Sequence, residues 1–400
     1  MLRSAFFLLF ISVFPIASLP AMSDSASPVA LPDPLVAGNG VRITSPEQWE
    51  TLRRPELLGL FQEHVYGKNP VERPDGLRFE VTSSVDAFGG LATCRQVRIT
   101  CAGPRPRGEL SFPLTVYLPK APDRPRGCFL LIVNRSRDII TESSENPWRF
   151  WPVREIVARG YATAAFHNSD IAPDDKADGF RSGVFEVYDA PRVEADGESR
   201  PGDAWGAIAA WAWGTSRAID FLVTEPSLRG VPIAVAGHSR GGKVALWCGA
   251  QDRRVALTIS NNSGCTGAAP ARITRGEIVG DINGQFPHWF ARNYHDYGAD
   301  VSRLPVDQHE LLALLAPRLV YVASASEDAW ADPDAEFRAC VEAGVVYDLY
   351  KLPGVGAAIR PGIAQPLHTG AIGYHLRAGK HDLTAEDWGY FMDFTDRRWR

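Results

Sequence analysis

The sequence predicts an α/β fold, a mostly parallel β-sheet covered by helices on both faces, with an antiparallel edge at its N-terminal end. Three observations lead there. Strand-like apolar runs alternate with helical segments from CFLLIVN at 128–134 onward, and such runs are buried from both sides only when helices cover both faces of the sheet. Ahead of them, the segment 78–119 alternates apolar and polar residues in three stretches parted by GG and PRPRG, as antiparallel strands do. Finally, VPIAVAGHSRGGKVALWCGA at 231–250 reads as a buried strand, a forced turn and a helix in immediate succession.

Taken in order, the chain opens with MLRSAFFLLFISVFPIASLPA, one arginine and then an apolar stretch from Ala5 to Ile16 followed by small residues. This is the layout of a secretory signal over 1–22, and the alternative is an uncleaved anchor, since Leu19 stands where a small residue is preferred. A Pro/Ala/Ser-rich leader, 23–40, is expected to be extended and loosely held. Residues 41–400 are read as one domain. With 400 residues, 45% of them hydrophobic, and 11 tryptophans, the chain can bury a large core. A net charge of -5 without a long basic run argues against nucleic acid or an anionic membrane as a partner. A secreted or periplasmic monomer, off the membrane once the signal is removed, is expected.

Ser45-Pro46-Glu47 carries a helix start, with Pro55 expected to kink or split the helix before Gly67 ends it. After the three antiparallel strands and the 128–134 strand comes the polar loop Arg135 to Glu145, which in this architecture lies over the turn of 237–241. A short helix, Trp151 to Arg159, leads to a strand, Tyr161 to Phe166, then to a long acidic loop, His167 to Glu198, of a length that usually serves function. Asp203 to Val223 is strongly helical. Beyond the 231–250 unit, strands are expected at Val255 to Ser260, Arg318 to Ala323, Val346 to Leu352 and Ile372 to Leu376. Helices are expected at Val306 to Ala316 and Pro333 to Ala343, with an irregular excursion from Gly264 to Asn293. A last helix starts near Thr384, whose pairing with Asp387 resembles a capping box. The whole is an α/β-hydrolase arrangement.

The six cysteines form no C-x-x-C pair. Cys94 and Cys101 are candidates for a disulfide across adjacent strands, and Cys248 for a buried apolar residue. No His/Cys/carboxylate cluster has zinc-site spacing, so neither metal nor cofactor is expected.

Gly237-His238-Ser239-Arg240-Gly241 is G-x-S-x-G, a nucleophile elbow that lifts a serine hydroxyl above the sheet at a helix N-terminus. Such a serine needs a histidine base and a carboxylate to orient it, in the chain order serine, acid, histidine. His381, on a turn opened by Gly379, is the best placed base, ahead of His368 and His375. Glu327 and Asp328, at the end of the 318–323 strand, are both candidates for the acid. Arg240 and Lys243 put two cations at the start of the elbow helix, against its dipole. Arg240 can stabilise a developing oxyanion, and Lys243 can bind oxygens on the acyl portion of a substrate.

GHSRGGK with SNNSG after it, GEIVGDINGQFPHWF, LPVDQHELLALLAPR, SASEDAWADP and GYHLRAGKHDLTAEDW resemble the bacterial glucuronoyl esterases of carbohydrate esterase family 15, over most of the chain from Trp49 to Phe394. The resemblance implies cleavage of the ester between glucuronate, often 4-O-methylated, on xylan and a lignin alcohol. It implies Ser239 as nucleophile, His381 as base, Arg240 as oxyanion stabiliser, and Lys243, Glu277 and Trp330 as sugar contacts. Where many members carry a catalytic glutamate this chain has Asn262, so the resemblance implies Asp328 as the acid. The cysteine that precedes the serine in fungal members is His238 here, and the loop Asn134 to Glu145 also departs from the family pattern. An acetyl or feruloyl polysaccharide esterase and a non-catalytic carbohydrate-binding protein are the alternatives.

Overall fold

The computed structural model describes residues 30–104, 108–141, 150–189 and 200–399. The expected signal, the leader up to residue 29 and parts of the two polar loops, 142–145 and 190–198, lie outside them. The described part of the leader is bound rather than loose. Ala37 N–H donates to Val41 O and Ile43 N–H to Leu35 O, closing a small hairpin, while Pro32 O accepts from His309 Nε2 at 2.7 Å and Pro34 O from Arg53 Nε at 3.2 Å.

Ser45 caps the first helical turn by accepting from Gln48 N–H. Pro55 splits the helix as expected. It has no N–H to give, and the turn before it, Trp49–Arg53, widens into a π-turn before α1 (Arg54–Phe61) restarts. Gly67 then ends the segment at φ 88°, where an added Cβ would stand 2.4 Å from Ala204 O.

Nine strands form one sheet among the described residues: β1 (Leu77–Ala87), β2 (Ala92–Ala102), β3 (Glu109–Pro119), β4 (Cys128–Val133), β5 (Ala162–His167), β6 (Ile233–His238), β7 (Val255–Asn261), β8 (Leu319–Ala325) and β9 (Ile372–Arg377). Their spatial order is β1-β2-β3-β5-β4-β6-β7-β8-β9. β1, β2 and β3 pair antiparallel, β3 meets β5 antiparallel, and every pair from β5 to β9 is parallel. The alternation on β4 shows why both faces must be covered. Cys128, Leu130 and Ile132 enter one core layer, and Phe129, Leu131 and Val133 enter the other. The first layer lies under α2 (Ala207–Leu222), α3 (Arg240–Gln251), α5 (Gln308–Ala313) and α6 (Pro333–Leu349), with α4 (Val279–Gln285) beyond it. The second lies under the short helix Val153–Ala158 and α7 (Ala385–Asp396), whose Trp388, Phe391 and Phe394 pack on the sheet. Thr384 and Asp387 do form the capping box of α7. This is the α/β-hydrolase fold.

Two further expectations are corrected. The predicted strand Val346 to Leu352 is the end of α6, which runs unbroken to Leu349. Val345, Val346, Tyr347 and Tyr350 are strand-prone residue types, but the buried set Glu336, Ala339, Cys340, Ala343, Val346 and Tyr347 has helical spacing, and the helix's packed face decided the conformation. The pairing of Cys94 with Cys101 is also excluded. Both sit on β2, seven residues or about 23 Å apart by strand rise, and they face opposite core layers. All six cysteines are buried and free, Cys248 among them as expected.

Candidate active site

β6 ends at the centre of the sheet, and the chain turns at once into α3. Ser239 takes up that turn at φ 57° and ψ -126°, a conformation an L-residue holds only where its surroundings enforce it. Here they do. Ser239 N–H donates to Asn261 O at the end of the adjacent β7, and Gly242 N–H returns to Ser239 O. The close approach demands glycine at two positions. A Cβ on Gly237 would lie 2.0 Å from Gly241 O, and one on Gly242 would lie 2.9 Å from Ser263 Cβ. Ser239 therefore opens α3 with the unpaired N–H groups of the helix's first turn beside it.

β8 and β9 deliver the other two members. Asp328 follows β8 and His381 follows β9, and their side chains meet, Nδ1 to Oδ2, at 2.6 Å. The Asp328 side chain is 3% exposed and that of His381 36%, so the acid is enclosed while the imidazole reaches the cavity. Burial pushes the Asp328 carboxyl up. The bond to His381, that residue's charge and the Asn262 amide outweigh burial and hold it below the usual carboxylate range. Asn262 donates Nδ2 to the same oxygen that faces His381, at 2.7 Å, from a left-handed backbone at φ 47°. The departure noted at 262 thus places a neutral donor beneath the acid. Glu327 is exposed and engages Gly379 O only through its backbone N–H. His375 bonds Asp387 and Tyr321 inside the sheet layer, and His368 bonds Tyr321, so neither joins this group.

The cations are both tethered. Arg240 gives Nη2 to Asn134 O at 2.7 Å, and its Nε stands 2.6 Å from Asp174 Oδ2, an ion contact whose N–H points off the oxygen rather than along it. Asp174 comes from the long acidic loop and also receives His288 Nε2 at 3.0 Å and Trp289 Nε1 at 2.8 Å on Oδ1. Burial raises its pKa, but these donors and Arg240 bring the balance below the ordinary value. Lys243 is buried, and its ammonium makes contacts to Ser263 O at 2.6 Å, Cys265 O at 2.6 Å and Glu277 Oε2 at 3.1 Å. An ammonium has three hydrogens, so protein acceptors occupy all of them. Glu277 Oε1 in turn receives Trp330 Nε1 at 3.3 Å, and Trp330 is half exposed.

All seven residues singled out from the sequence, Ser239, Arg240, Lys243, Glu277, Asp328, Trp330 and His381, line one cavity of about 320 Å³. Gln285, Phe286 and Trp289 complete its far wall, with Phe286 and Trp289 stacked at 3.9 Å. The sequence reading assigned no role to Asp174, Trp289 or His238. His238 is buried between Asn261 Oδ1 on Nδ1 (2.6 Å) and Arg135 on Nε2 (3.0 Å), and its ring lies 4.4 Å from that of His381. Its burial, then the charge of His381, push its pKa well below the usual imidazole value, so it faces His381 as a neutral ring. Among the described residues no group of three or more His, Cys, Asp or Glu side chains is arranged to hold a metal ion.

A serine on a strained elbow with a histidine held by a buried carboxylate defines the class: a serine hydrolase on the α/β-hydrolase fold. Residues 149–351 match the family model for glucuronyl esterase of fungi. Over 393 residues the chain is 38% identical to carbohydrate esterase MZ0003 of an unknown prokaryotic organism, covering 92% of this chain and 89% of that one. It is 30% identical to 4-O-methyl-glucuronoyl methylesterase 1 of Wolfiporia cocos, covering 83% and 75%. Among solved structures, the glucuronoyl esterase from Solibacter usitatus superposes with a TM-score of 0.82 at 36% identity, covering 93% of this chain and 98% of that one. The chain belongs to the glucuronoyl esterase family of serine esterases.

Proposed function

We propose that the protein hydrolyses glucuronate or 4-O-methyl-glucuronate esters that join glucuronoxylan to lignin alcohols, through an acyl-enzyme on Ser239. The observation that carries this reading is the meeting of the Ser239, His381 and Asp328 group with Arg240, Lys243, Glu277 and Trp330 in one cavity.

In the first half-reaction Ser239 Oγ attacks the ester carbonyl while its proton passes to His381 Nε2, and Asp328 stabilises the imidazolium through Nδ1–H. Negative charge grows on the carbonyl oxygen at the N-terminus of α3, where the Arg240 backbone N–H and the guanidinium steadied by Asp174 and Asn134 would receive it. Collapse breaks the C–O bond to the alcohol, which leaves with the proton from His381. Water, deprotonated by His381, then attacks the acyl-enzyme, and its collapse releases glucuronate and restores Ser239. Because the Lys243 donors are already taken, its part is to fix Glu277 and raise the local positive potential, leaving Glu277 and the exposed face of Trp330 to meet sugar hydroxyls and ring.

The committed ammonium also favours a second reading, an acetyl or feruloyl polysaccharide esterase, since no free cation then marks the acyl pocket as one for an acidic sugar. One experiment separates the readings: hydrolysis of benzyl glucuronate beside an aryl acetate by wild type and Ser239→Ala. Preference for the glucuronate ester, lost in the variant, is expected. Turnover of the acetate alone would assign the second reading, absent turnover would leave a carbohydrate-binding protein, and turnover retained by Ser239→Ala would refute the acyl-enzyme on Ser239.

The signal-like N-terminal composition supports export. Among the described residues no helix is long and apolar enough to cross a membrane.

A further inference from the structure

The turn that carries His381 is gripped by two arginines. Arg377, at the end of β9, donates Nη1 to Ala378 O at 2.9 Å and Nη2 to Lys380 O and Asp382 O at 2.8 Å and 2.6 Å. Arg135, just past β4, donates Nη2 to His381 O at 3.4 Å. Three fully buried side chains join one arginine to the other. Arg377 Nε lies 3.1 Å and 2.9 Å from the two oxygens of Asp387 on α7, and Asp387 Oδ1 accepts from Asn261 Nδ2 at 3.2 Å. Asn261 Oδ1 meets His238 Nδ1 at 2.6 Å, and His238 Nε2 accepts from the same Arg135 Nη2 at 3.0 Å. The hydrogen bonds close a circuit through the ends of β4, β6, β7 and β9.

We propose that His238 is a positioning residue of the reaction: it closes this circuit and so sets the His381 imidazole against the Ser239 hydroxyl. The inference rests on Ser239 and His381 as nucleophile and base. The tautomer of His238 follows from its partners at both ends. Burial pushes the Asp387 carboxyl up, but His375, Arg377 and Thr384 hold it below the ordinary value, so it only accepts. Asn261 must then turn its amide nitrogen to Asp387 and its oxygen to His238, whose Nδ1 donates. A guanidinium has no acceptor, so His238 Nε2 takes the Arg135 hydrogen, which is the same tautomer.

The nucleophile is tied to this circuit twice. His238 directly precedes Ser239, and Ser239 N–H donates to the backbone oxygen of Asn261 at 2.8 Å. Asp328 orients the His381 imidazole at Nδ1 alone, which leaves the height of the ring over Ser239 to the backbone of its turn. Taking up the carbonyls of that turn holds this height, and a misplacement of about 1 Å can cost on the order of 10²-fold in rate. The His238 and His381 rings lie 4.4 Å apart, so the circuit runs directly beside the base. The Arg135 side chain is 42% exposed, and its removal leaves the core packed.

The test is steady-state hydrolysis by the full chain of whichever of benzyl glucuronate and an aryl acetate the wild type turns over. His238→Asn keeps a donor for Asn261 but falls short of Arg135, whereas His238→Gln carries an amide oxygen out to the position of Nε2. His238→Asn and Arg135→Ala are each expected to lower kcat about ten-fold with KM within about two-fold, and the double variant to be no worse than either. His238→Gln should stay within about three-fold of wild type. A merely structural part for His238 would impair Asn and Gln alike and leave Arg135→Ala at full rate. Either of those results, or losses that multiply in the double variant, would overturn the proposal. Ser239→Ala run in parallel separates the failures. Turnover retained there removes the serine reading and this inference with it, while turnover lost there but intact in His238→Asn removes this inference alone.

Discussion

At the scale of single residues, the arrangement around Asp328 explains how a chain with asparagine at 262 can still support a charged base partner. Asp328 Oδ2 is shared by His381 Nδ1 and Asn262 Nδ2, while Oδ1 takes Ala331 N–H, so each oxygen of the carboxylate is held by a donor in a nearly enclosed site. Replacing it by asparagine keeps the shape, removes the charge that stabilises the imidazolium, and allows the wrong tautomer. Asp328→Asn is expected to lower kcat on the order of 10²–10⁴-fold with KM little changed, measured by steady-state hydrolysis of a glucuronate ester. A nearly unchanged kcat would remove Asp328 from the role of acid. Most of this group was legible in the sequence, because each member sits in a motif or just beyond a strand end. Asp174 was not. Its loop has no motif, and only the fold carries it 66 positions forward to Arg240.

At the scale of elements, the elbow is a device of close backbone approach. Its two tight glycines are not the pair that the motif emphasises. Gly237 and Gly242 have no room for a methyl group, whereas a Cβ on Gly241 would rest 3.3 Å from Ile132 O. Gly237→Ala is expected to cost on the order of 3 kcal/mol or more through the forced separation of β6 from α3. Gly241→Ala should remain within about 1 kcal/mol of the parent, since alanine favours helix and the contact needs only a small shift. Urea midpoints for the two variants measure the difference, and equal losses would contradict the steric account. The same scale holds the misread element at the end of α6. A run of β-branched and aromatic residues fits strand and helix alike, and the side on which it is buried is not written in its local pattern.

At the scale of the whole molecule, α6 places a carboxylate at the back of the site. Glu336 is fully buried and accepts from Ser263 N–H, Gly264 N–H and Ser324 Oγ. Burial, with the nearby Asp328 charge adding to it, outweighs these donors and pushes its pKa up to about 7 from 4.5. A carboxyl raised on folding keeps its proton in the native state while the unfolded chain has lost it, so stability falls as pH rises from about 4.5 to about 7 and then levels. Glu336→Gln cannot ionise and should remove on the order of 1–3 kcal/mol of that fall. Unfolding midpoints of both proteins between pH 4 and 8 read it directly, and parallel curves would refute it.

From the sequence alone came the sheet with its two covered faces, the elbow turn, and the residues Ser239, Arg240, Lys243, Glu277, Asp328, Trp330 and His381 that the fold gathers in one cavity. The sheet, the elbow, Ser239, Arg240, Lys243 and His381 depend on local periodicity, turn chemistry or a short spacing, whereas Glu277, Trp330 and the choice of Asp328 over Glu327 rest on the resemblance to the family. Tertiary structure alone decided that the Lys243 ammonium is taken up by three protein oxygens and that Asp174 steadies Arg240. Those outcomes depend on which distant surfaces pack together, and burial and hydrogen-bond saturation are properties of that packing rather than of any stretch of chain.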